Sequence, residues 1–336
     1  MIGRERKRAL IEQTIEAELE RFYRQYDIRR TLPEFGADLR EFVMRPSGRL
    51  RPLLFLTVLE SYGVRLEQEQ LAVAAAIELL HSCALLHDDL VDNAQTRRGA
   101  AAFHRSASPG VGQAVLGGDL LYTFAVHILL GTQPDPRRHR ALSHILEVAA
   151  ITSLAQFEEM HFIPQTTPSD AIERIMELYD RKSGLYTFVA PIELARIFAG
   201  GPDSDLPLLR AIGIHLGRAY QLRDDLIDVG SLADATETAA GAPPWELNLS
   251  YAILANAPAT AGSIAAVTGQ ESVTAVMLEL LTDRSIRDLL RQTTEALIAD
   301  QVRAARSNTG GLSIATDFEA ALETITAYTK VHHGEA

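Results

Sequence analysis

The chain has 336 residues, of which 47% are hydrophobic and 23% are charged, and its formal net charge is -12. This composition predicts a globular protein with a sizeable core and excludes wholesale disorder. The acidic balance argues against a nucleic-acid binder, which would need a basic surface. Any anionic ligand must therefore meet locally concentrated basic residues.

Three features bear on location. Acidic residues interrupt the apolar positions near the N-terminus, so we expect no targeting segment. The most apolar stretch, residues 71–86, contains Glu78 and His81 and is too short to span a bilayer, so we predict no transmembrane segment. The single cysteine, Cys83, allows no internal disulfide and fits a cytoplasmic protein.

Apolar residues recur with helical spacing along most of the chain, and we find no convincing alternating strand pattern. Proline, glycine and serine separate the predicted helices. These cover residues 6–26, 68–91, 112–130, 136–159, 169–182, 206–228, 244–256, 271–281, 286–306 and 314–330. We predict an all-α fold, a single large helical bundle that forms one domain over residues 1–336.

Two aspartate clusters end two of the most apolar helices. The first aspartate cluster is Asp88, Asp89 and Asp92, and the second is Asp224, Asp225 and Asp228. In each cluster the outer carboxylates are four residues apart, so they share one helix face and repel each other. Paired oxygen ligands suit Mg²⁺, which also binds substrate phosphates. A single cluster could be a solvated helix end, but the repeated spacing favours a metal site.

Basic motifs accompany the clusters. Arg97 and Arg98 follow the first cluster closely, and Arg49 and Arg51 open an earlier helix. Guanidinium groups match the geometry of phosphate oxygens. An arginine pair alone is usually a surface feature, so its meaning here comes from the neighbouring aspartates.

In this order the motifs resemble those of the isoprenyl diphosphate synthases (polyprenyl synthetases), from about residue 48 to residue 228. The resemblance includes the motifs around Arg51, His81, both aspartate clusters, Arg97-Arg98-Gly99, Gly117-Gly118-Asp119, Lys182-Ser183-Gly184 and Gln221.

This resemblance implies an isoprenoid synthase-like bundle with a central active-site cavity, in which the two clusters lie on facing helices. It implies a magnesium-dependent prenyltransferase that joins an allylic diphosphate to isopentenyl diphosphate, and a homodimer. Three Mg²⁺ ions would be held by Asp88, Asp92, Asp224 and Asp228, with Asp89 and Asp225 as further catalytic carboxylates. The residues matched to the allylic substrate are Arg97, Lys182 and Gln221. Those matched to isopentenyl diphosphate are Arg51, His81 and Arg98.

The chain departs from the family pattern at two places. Gly48 occupies the position of a lysine, and residues 229–245 contain no lysine or arginine where members carry two Gly-Lys pairs. We therefore expect weak binding of isopentenyl diphosphate.

Three alternatives remain open at this point. A terpene cyclase on the same fold would ionise one prenyl diphosphate and need no second substrate. A non-catalytic subunit would tune the product length of an active synthase. A di-iron site would use the Glu-x-x-His pairs at Glu78 and Glu158, a spacing found in di-iron helical bundles.

The helix before Asp88 bears on product length. Ala84 and Cys83, one turn earlier, should line the path of the allylic tail, and both are small. Leu80, Tyr122 or Phe124 would be the next stops. We therefore expect a product of about C20 or longer, counting a helical turn of about 5.4 Å against one isoprene unit.

Overall fold

The structure is a computed structural model that describes residues 2–106, 110–160, 168–234, 249–265 and 270–330. The chain forms two compact units. Unit 1 comprises Met1–Ile145 with Pro191–Gly201, and unit 2 comprises Leu146–Ala190 with Pro202–Ala336. That these residues form one domain stays a prediction.

Helices account for nearly all regular structure in the described residues. In chain order they are α1 (Arg4–Gln25), α2 (Ile28–Thr31), α3 (Pro33–Met44), α4 (Leu50–Ser61), α5 (Gln68–Val91), α6 (Gly110–Leu130), α7 (Pro136–Met160), α8 (Pro168–Tyr179), a π-helix (Asp180–Val189), α9 (Ala190–Ala199), α10 (Leu206–Asp234), α11 (Leu249–Asn256), α12 (Ala261–Ala265), α13 (Gln270–Thr282), α14 (Arg284–Ser307) and α15 (Ala315–Thr326). Short 3₁₀ turns cover Phe103–Arg105, Asp203–Asp205, Thr309–Gly311 and Ala327–Thr329. The all-α prediction is confirmed.

The predicted elements differ from the observed ones in specific places. α5 begins and ends at the predicted residues, whereas α3 and α9 had no counterpart among the predicted helices. The helix predicted over 169–182 ends at Tyr179, and the chain continues as the π-helix. Residues 244–248, predicted to begin a helix, lie outside the described residues.

A two-residue hairpin corrects the expectation that the chain has no strands. β1 (Thr96–Arg97) pairs antiparallel with β2 (Ala100–Ala101). Arg98 and Gly99 connect them, and both have positive φ angles, 53° and 77°. Two such residues are the signature of a type I′ turn. The strands are too short for sequence alternation to be visible.

α5 lies at the centre of unit 1. A capping box formed by Glu67 and Gln70 starts this helix, and most of its length is buried among α1, α4 and α6. By length and composition α5 and α6 could each cross a membrane. The apolar stretch 71–86 judged from the sequence is only part of α5, which has 24 residues, so the absence of a transmembrane segment stays a prediction. The burial of α5 within the unit is typical of a core helix.

In unit 2 the π-helix packs very closely on α10. A Cβ atom added to Gly217 would lie 2.4 Å from the Cα atom of Gly184, so only glycines allow this approach. The guanidinium group of Arg218 on α10 binds both carboxylate oxygens of Asp180 at 2.6 Å. This contact fixes the π-helix, which carries Lys182, against the helix that carries the second aspartate cluster.

Candidate active site

The first aspartate cluster lies at the C-terminal end of α5 and divides by burial. Asp89 is fully buried, whereas Asp88 is about one third exposed (34%) and Asp92 is exposed. The Nε atom of Arg97 donates a 2.6 Å hydrogen bond to Asp89 Oδ1, and Arg97 Nη2 lies 3.7 Å from Asp88 Oδ2. The middle aspartate therefore holds Arg97 in place, while the outer two remain accessible to a ligand.

Burial alone would lower the pKa of Arg97, but the hydrogen bond to Asp89 and the charges of the first aspartate cluster raise it overall. Arg97 thus stays charged beside the cluster. If the carboxylates bind a metal ion and that ion binds a phosphate, a cation fixed beside them can contact the same phosphate.

The turn of the hairpin separates two arginines that are adjacent in sequence. Arg97 points to the first aspartate cluster, whereas Arg98 lies 3.5 Å from Glu78. The hairpin is held by Arg45, whose Nη1 atom donates to the carbonyl oxygens of Arg97 and Ala101 at 3.1 and 3.0 Å. A non-glycine residue with positive φ, such as Arg98, is strained, and strain of this kind concentrates at functional sites.

The arginine cluster is the name we give to Arg49, Arg51, Arg98, Glu78 and His81. Glu78 is almost completely buried, and its Oε1 atom accepts a 2.7 Å hydrogen bond from Arg49 Nη1. Arg49 is also buried, and its Nη2 atom donates to the carbonyl oxygens of Val43 and Arg45. Arg49 therefore serves the structure, whereas Arg51 and Arg98 are only partly buried and are the guanidinium groups that a ligand could reach.

His81 is neutral in this setting. Burial, followed by the charge of Arg51 and the other nearby arginines, lowers its pKa well below the usual value. Its Nε2 atom lies 3.1 Å from Arg51 Nη1, and because a guanidinium group only donates, Nε2 accepts. Three guanidinium charges thus face two carboxylates, Glu78 and the Glu12 that lies 3.6 Å from Arg49, which leaves an excess of positive charge suited to an anion.

The second aspartate cluster lies on α10 and shows the same division. Asp225 is buried, with 5% of its surface exposed, whereas the Asp224 side chain is 34% exposed and lies 3.1 Å from Arg223 Nη1. The hydroxyl group of Tyr179 donates to Asp225 Oδ2, and Gln221 Nε2 donates to Oδ1 at 3.0 Å. Asp228 lies one turn further along α10, and its side chain is outside the described residues.

Lys182 and Gln221, both predicted at the allylic site, lie in unit 2. Lys182 is one third exposed and forms an ion pair with Glu159. The hydroxyl group of Ser183 donates to Gln221 Oε1 at 2.7 Å, which links the π-helix to α10. The close packing of Gly184 on Gly217 brings the π-helix near enough to α10 for Ser183 to reach Gln221.

The residues fit Mg²⁺ by their chemistry, since the carboxylates of Asp88, Asp92 and Asp224 are partly or fully exposed hard oxygen ligands. Across the described ranges, no three His, Cys, Asp or Glu side chains group closely enough to hold a metal by themselves. A magnesium ion needs only one or two carboxylates when water and substrate phosphates complete its coordination.

The Glu-x-x-His pairs have other roles. Glu78 is bound to Arg49 and Arg98, and Glu158 forms a 2.7 Å ion pair with Arg181. His161 lies outside the described residues. Both glutamates are therefore paired with arginines, which disfavours the di-iron reading.

Sequence reasoning missed several residues that organise these sites. They are Arg45, Glu159 and Tyr179. Arg49 and Ser183 were named within motifs, but their contacts with Glu78 and Gln221 were not predicted. The buried roles of Asp89 and Asp225 were also missed, because a repeated Asp-Asp-x-x-Asp motif does not show which carboxylate faces inward. Helical spacing gave one signal: the middle aspartate lies off the face that the outer two share.

Comparison with solved structures defines the fold. The chain has a TM-score of 0.79 with a geranylgeranyl pyrophosphate synthase at 19% identity, covering 98% of this chain and 99% of that one. The TM-score is 0.76 at 24% identity with the enzyme from Corynebacterium glutamicum, which was crystallised with isoprenyl diphosphate and magnesium, and the coverage is again 98% and 99%. The fold is that of the isoprenoid synthases, as predicted.

Residues 34–283 match the family model described as polyprenyl synthetase, so the chain belongs to the polyprenyl synthetase family. The farnesyl diphosphate synthase of Bacillus subtilis is 30% identical over 189 residues, which are 54% of this chain and 62% of that protein. The nonaprenyl diphosphate synthase of Mycobacterium tuberculosis is 30% identical over 239 residues, 70% of this chain and 68% of that protein. The match to the Bacillus protein spans less than two thirds of its length.

The neutral His81 predicts a pH dependence of stability. Its pKa is lowered by folding, so below the usual value of 6.5 the unfolded chain binds more protons than the folded chain. Stability should therefore be fully present above about pH 6.5 and fall below it, by up to about 1.4 kcal/mol per pH unit from this residue. We expect His81→Gln to flatten the slope of the unfolding free energy between pH 6.5 and 5, measured by urea denaturation.

His139→Gln, at an exposed histidine of α7, is the matched control and should keep the wild-type slope. Equal slopes in the wild type and both variants would show that His81 takes up a proton as readily in the folded chain.

Proposed function

We propose that this chain is a magnesium-dependent prenyltransferase that condenses an allylic prenyl diphosphate with isopentenyl diphosphate. The single observation that supports this most is the pairing of each aspartate cluster with cationic side chains. In both clusters the buried middle aspartate binds its own chain, and the carboxylates of Asp88, Asp92 and Asp224 are at least partly exposed. The family membership and the names of the relatives support the same reaction.

Arg97, Lys182 and Gln221 would bind the allylic diphosphate. Arg97 is fixed by Asp89, and Gln221 is fixed between Ser183 and Asp225. Lys182 forms an ion pair with Glu159. Its ammonium group would have to exchange this carboxylate for a phosphate when the substrate binds. That the two aspartate clusters share one cavity remains a prediction from the family resemblance.

The arginine cluster would bind isopentenyl diphosphate. Arg51 and Arg98 supply charged donors, and the neutral His81 supplies an uncharged one through Nδ1–H. Gly48 is exposed and adds no charge where the family has a lysine. The excess positive charge comes from the two available arginines, so we expect binding that is weaker than a site with a third cation would give.

In the reaction the allylic C–O bond breaks and its electron pair leaves with the diphosphate. The isopentenyl double bond then attacks the allylic carbon, a new C–C bond forms, and a proton passes to the departing diphosphate. Bound Mg²⁺ would stabilise the negative charge that develops on the leaving group. Arg97 and Lys182 would orient and neutralise the same group.

A cyclase that uses one substrate is the second candidate, because Gly48 and the lysine-free residues 229–245 weaken the case for a second diphosphate. The two functions differ in their products. Incorporation of labelled isopentenyl diphosphate into a linear product supports the synthase, whereas a cyclic product from the allylic diphosphate alone supports the cyclase.

The outer aspartates give the first functional prediction. Asp88→Ala and Asp224→Ala should each lower turnover by several orders of magnitude and weaken Mg²⁺ binding in calorimetry, because each variant removes an accessible oxygen ligand. Asp300→Ala, an exposed aspartate on α14, is the control and should keep both properties. Normal turnover and normal Mg²⁺ affinity in Asp88→Ala or Asp224→Ala would rule out these carboxylates as ligands.

Product length depends on the face of α5 that leads away from Asp88. Ala84 is exposed and lies four residues before Asp88, on the same face. Cys83 is buried against α6, and burial together with the charge of Asp119 raises the pKa of its thiol to about 11. Phe124 stacks on Phe22 at 4.1 Å within unit 1, so it is unavailable as a stop for the tail. We therefore propose that the tail passes Ala84, giving a product of about C20 or longer, the geranylgeranyl type.

We expect Ala84→Phe to shorten the main product by at least one isoprene unit, because the ring would stand in the path next to Asp88. Cys83→Phe is the matched comparison. It should instead overpack the contact of α5 with α6 and destabilise the fold by about 1–3 kcal/mol. Product lengths are read by chromatography of dephosphorylated products. An unchanged length in Ala84→Phe would mean a different route for the tail, and a wild-type product of C15 would refute the long-chain proposal.

A homodimer is the proposed assembly, with a surface on α7 as one contact. Leu154, Phe157 and Met160 are each more than half exposed, and Leu146 extends this apolar stripe to about 21 Å along the helix. Monomeric proteins seldom expose a contiguous apolar patch of this kind, and a second copy of the chain offers the same patch in return. The cytoplasmic location expected from the sequence remains a prediction.

Leu154→Glu with Phe157→Glu should convert the dimer to a monomer in sedimentation experiments, because two charges would be buried against an apolar surface. Leu289→Glu, at a partly exposed leucine on α14, should leave the assembly unchanged. A wild-type monomer, or a dimer that survives both glutamates, would exclude this surface.

A further inference from the structure

A buried tyrosine joins three helices behind the second aspartate cluster. Tyr179, the last residue of α8, is 6% exposed, and its hydroxyl group donates to Asp225 Oδ2. The backbone N–H of Leu249, which begins α11, points to the same two oxygens, 3.3 Å from the phenol and 3.4 Å from the carboxylate. One buried contact thus connects α8, α10 and the start of α11.

The contact continues to a predicted substrate residue. Gln221 Nε2 donates to Asp225 Oδ1 at 3.0 Å, and Gln221 Oε1 accepts from Ser183 Oγ at 2.7 Å. Because a carboxylate only accepts, the amide nitrogen of Gln221 must face Asp225. The amide plane is therefore fixed, and one N–H of Gln221 remains for a ligand.

The phenol of Tyr179 stays protonated, which this arrangement requires. Burial, and after it the negative charge of Asp225, raises the pKa of Tyr179 well above its usual value. A protonated phenol is a permanent donor to the buried carboxylate. Without it, Asp225 would lose one of its hydrogen bonds inside an apolar cluster that includes Leu222, Leu249 and Ala252.

We propose that Tyr179 is a positioning residue for the allylic diphosphate site, acting through Asp225 to orient the side-chain amide of Gln221. This inference rests on the proposed function, since it assigns the remaining N–H of Gln221 to the allylic diphosphate. Tyr179 does not touch the substrate. Asp225, predicted from the sequence as a catalytic carboxylate, acts here by orientation, while Asp224 on the exposed face keeps its place as a metal ligand.

The arrangement also predicts which substrate is affected. Gln221, Asp225 and Tyr179 all lie in unit 2, whereas the arginine cluster proposed for isopentenyl diphosphate lies in unit 1. Loss of the phenol should therefore change the handling of the allylic substrate and leave that of isopentenyl diphosphate nearly unchanged. A purely structural tyrosine would change both substrates alike.

The test is Tyr179→Phe, which removes only the hydroxyl oxygen. We expect KM for the allylic diphosphate to rise about tenfold, the loss typical of one charged hydrogen bond, with KM for isopentenyl diphosphate within twofold of wild type. Tyr23→Phe is the matched control, because Tyr23 is also buried and donates a 2.8 Å hydrogen bond to the carbonyl of Gly36 in unit 1. It should lower stability without changing either KM.

A second variant tests whether the effect passes through Gln221. In the Gln221→Ala background, adding Tyr179→Phe should cause no further rise in the allylic KM. Equal changes in both KM values, or independent and additive effects of the two substitutions, would overturn the proposal. Asp225→Asn keeps the size of the side chain and should raise the allylic KM as Tyr179→Phe does, and it replaces that variant if the latter fails to fold.

Amide hydrogen exchange provides a readout that needs no substrate. Because Tyr179 accepts from Leu249 N–H and holds Asp225, Tyr179→Phe should speed exchange at the start of α11 about tenfold, and Tyr23→Phe should not. Unchanged exchange there would refute the contact itself. If exchange rises but the wild type consumes no isopentenyl diphosphate, the proposed function fails while the structural part of the inference stands.

Discussion

Buried carboxylates that bind donors of their own chain are the interaction on which both candidate sites depend. Asp89 holds Arg97, Glu78 holds Arg49 and Arg98, and Asp225 holds Tyr179 and Gln221. A buried carboxylate is costly unless it is hydrogen-bonded, so each of these groups fixes its partners strongly. The side chains available for a ligand are therefore set in position before any ligand arrives, which is the condition for electrostatic catalysis.

Electrostatics in a protein of net charge -12 requires this local arrangement. Within the arginine cluster, Arg49 is buried, and its guanidinium group donates hydrogen bonds to Glu78 and to two backbone carbonyl oxygens. Arg51 and Arg98 are only partly buried, and burial, followed by the charges of these arginines, lowers the pKa of His81 so that its ring stays neutral. The cluster therefore presents two cationic groups and one uncharged donor to an anion, although the net charge of the chain is negative.

Helical periodicity predicted the fold class and the bounds of α5, and the family resemblance implied that Arg51, His81 and Arg98 serve one substrate. Sequence reasoning failed where geometry depends on one or two residues. The Arg98–Gly99 turn is too short for strand periodicity, and the π-helix from Asp180 differs from an α-helix by one residue per hydrogen-bonded turn. Nor does any local pattern show that Tyr179 meets Asp225, since 46 residues separate them.

The glycine pair in unit 2 shows how such a distant contact becomes possible. Gly184 and Gly217 let the π-helix approach α10 at backbone distance, which brings Ser183 within hydrogen-bonding reach of Gln221. The wider turn of a π-helix changes the direction of every side chain after Tyr179, so Lys182 and Ser183 leave the helix at angles that an α-helix would not give. The π-helical turn sets the direction of the Ser183 side chain, and the two glycines set its distance from Gln221. The position of Gln221 is thus a consequence of backbone geometry, and the polar network fixes what the backbone has already brought together.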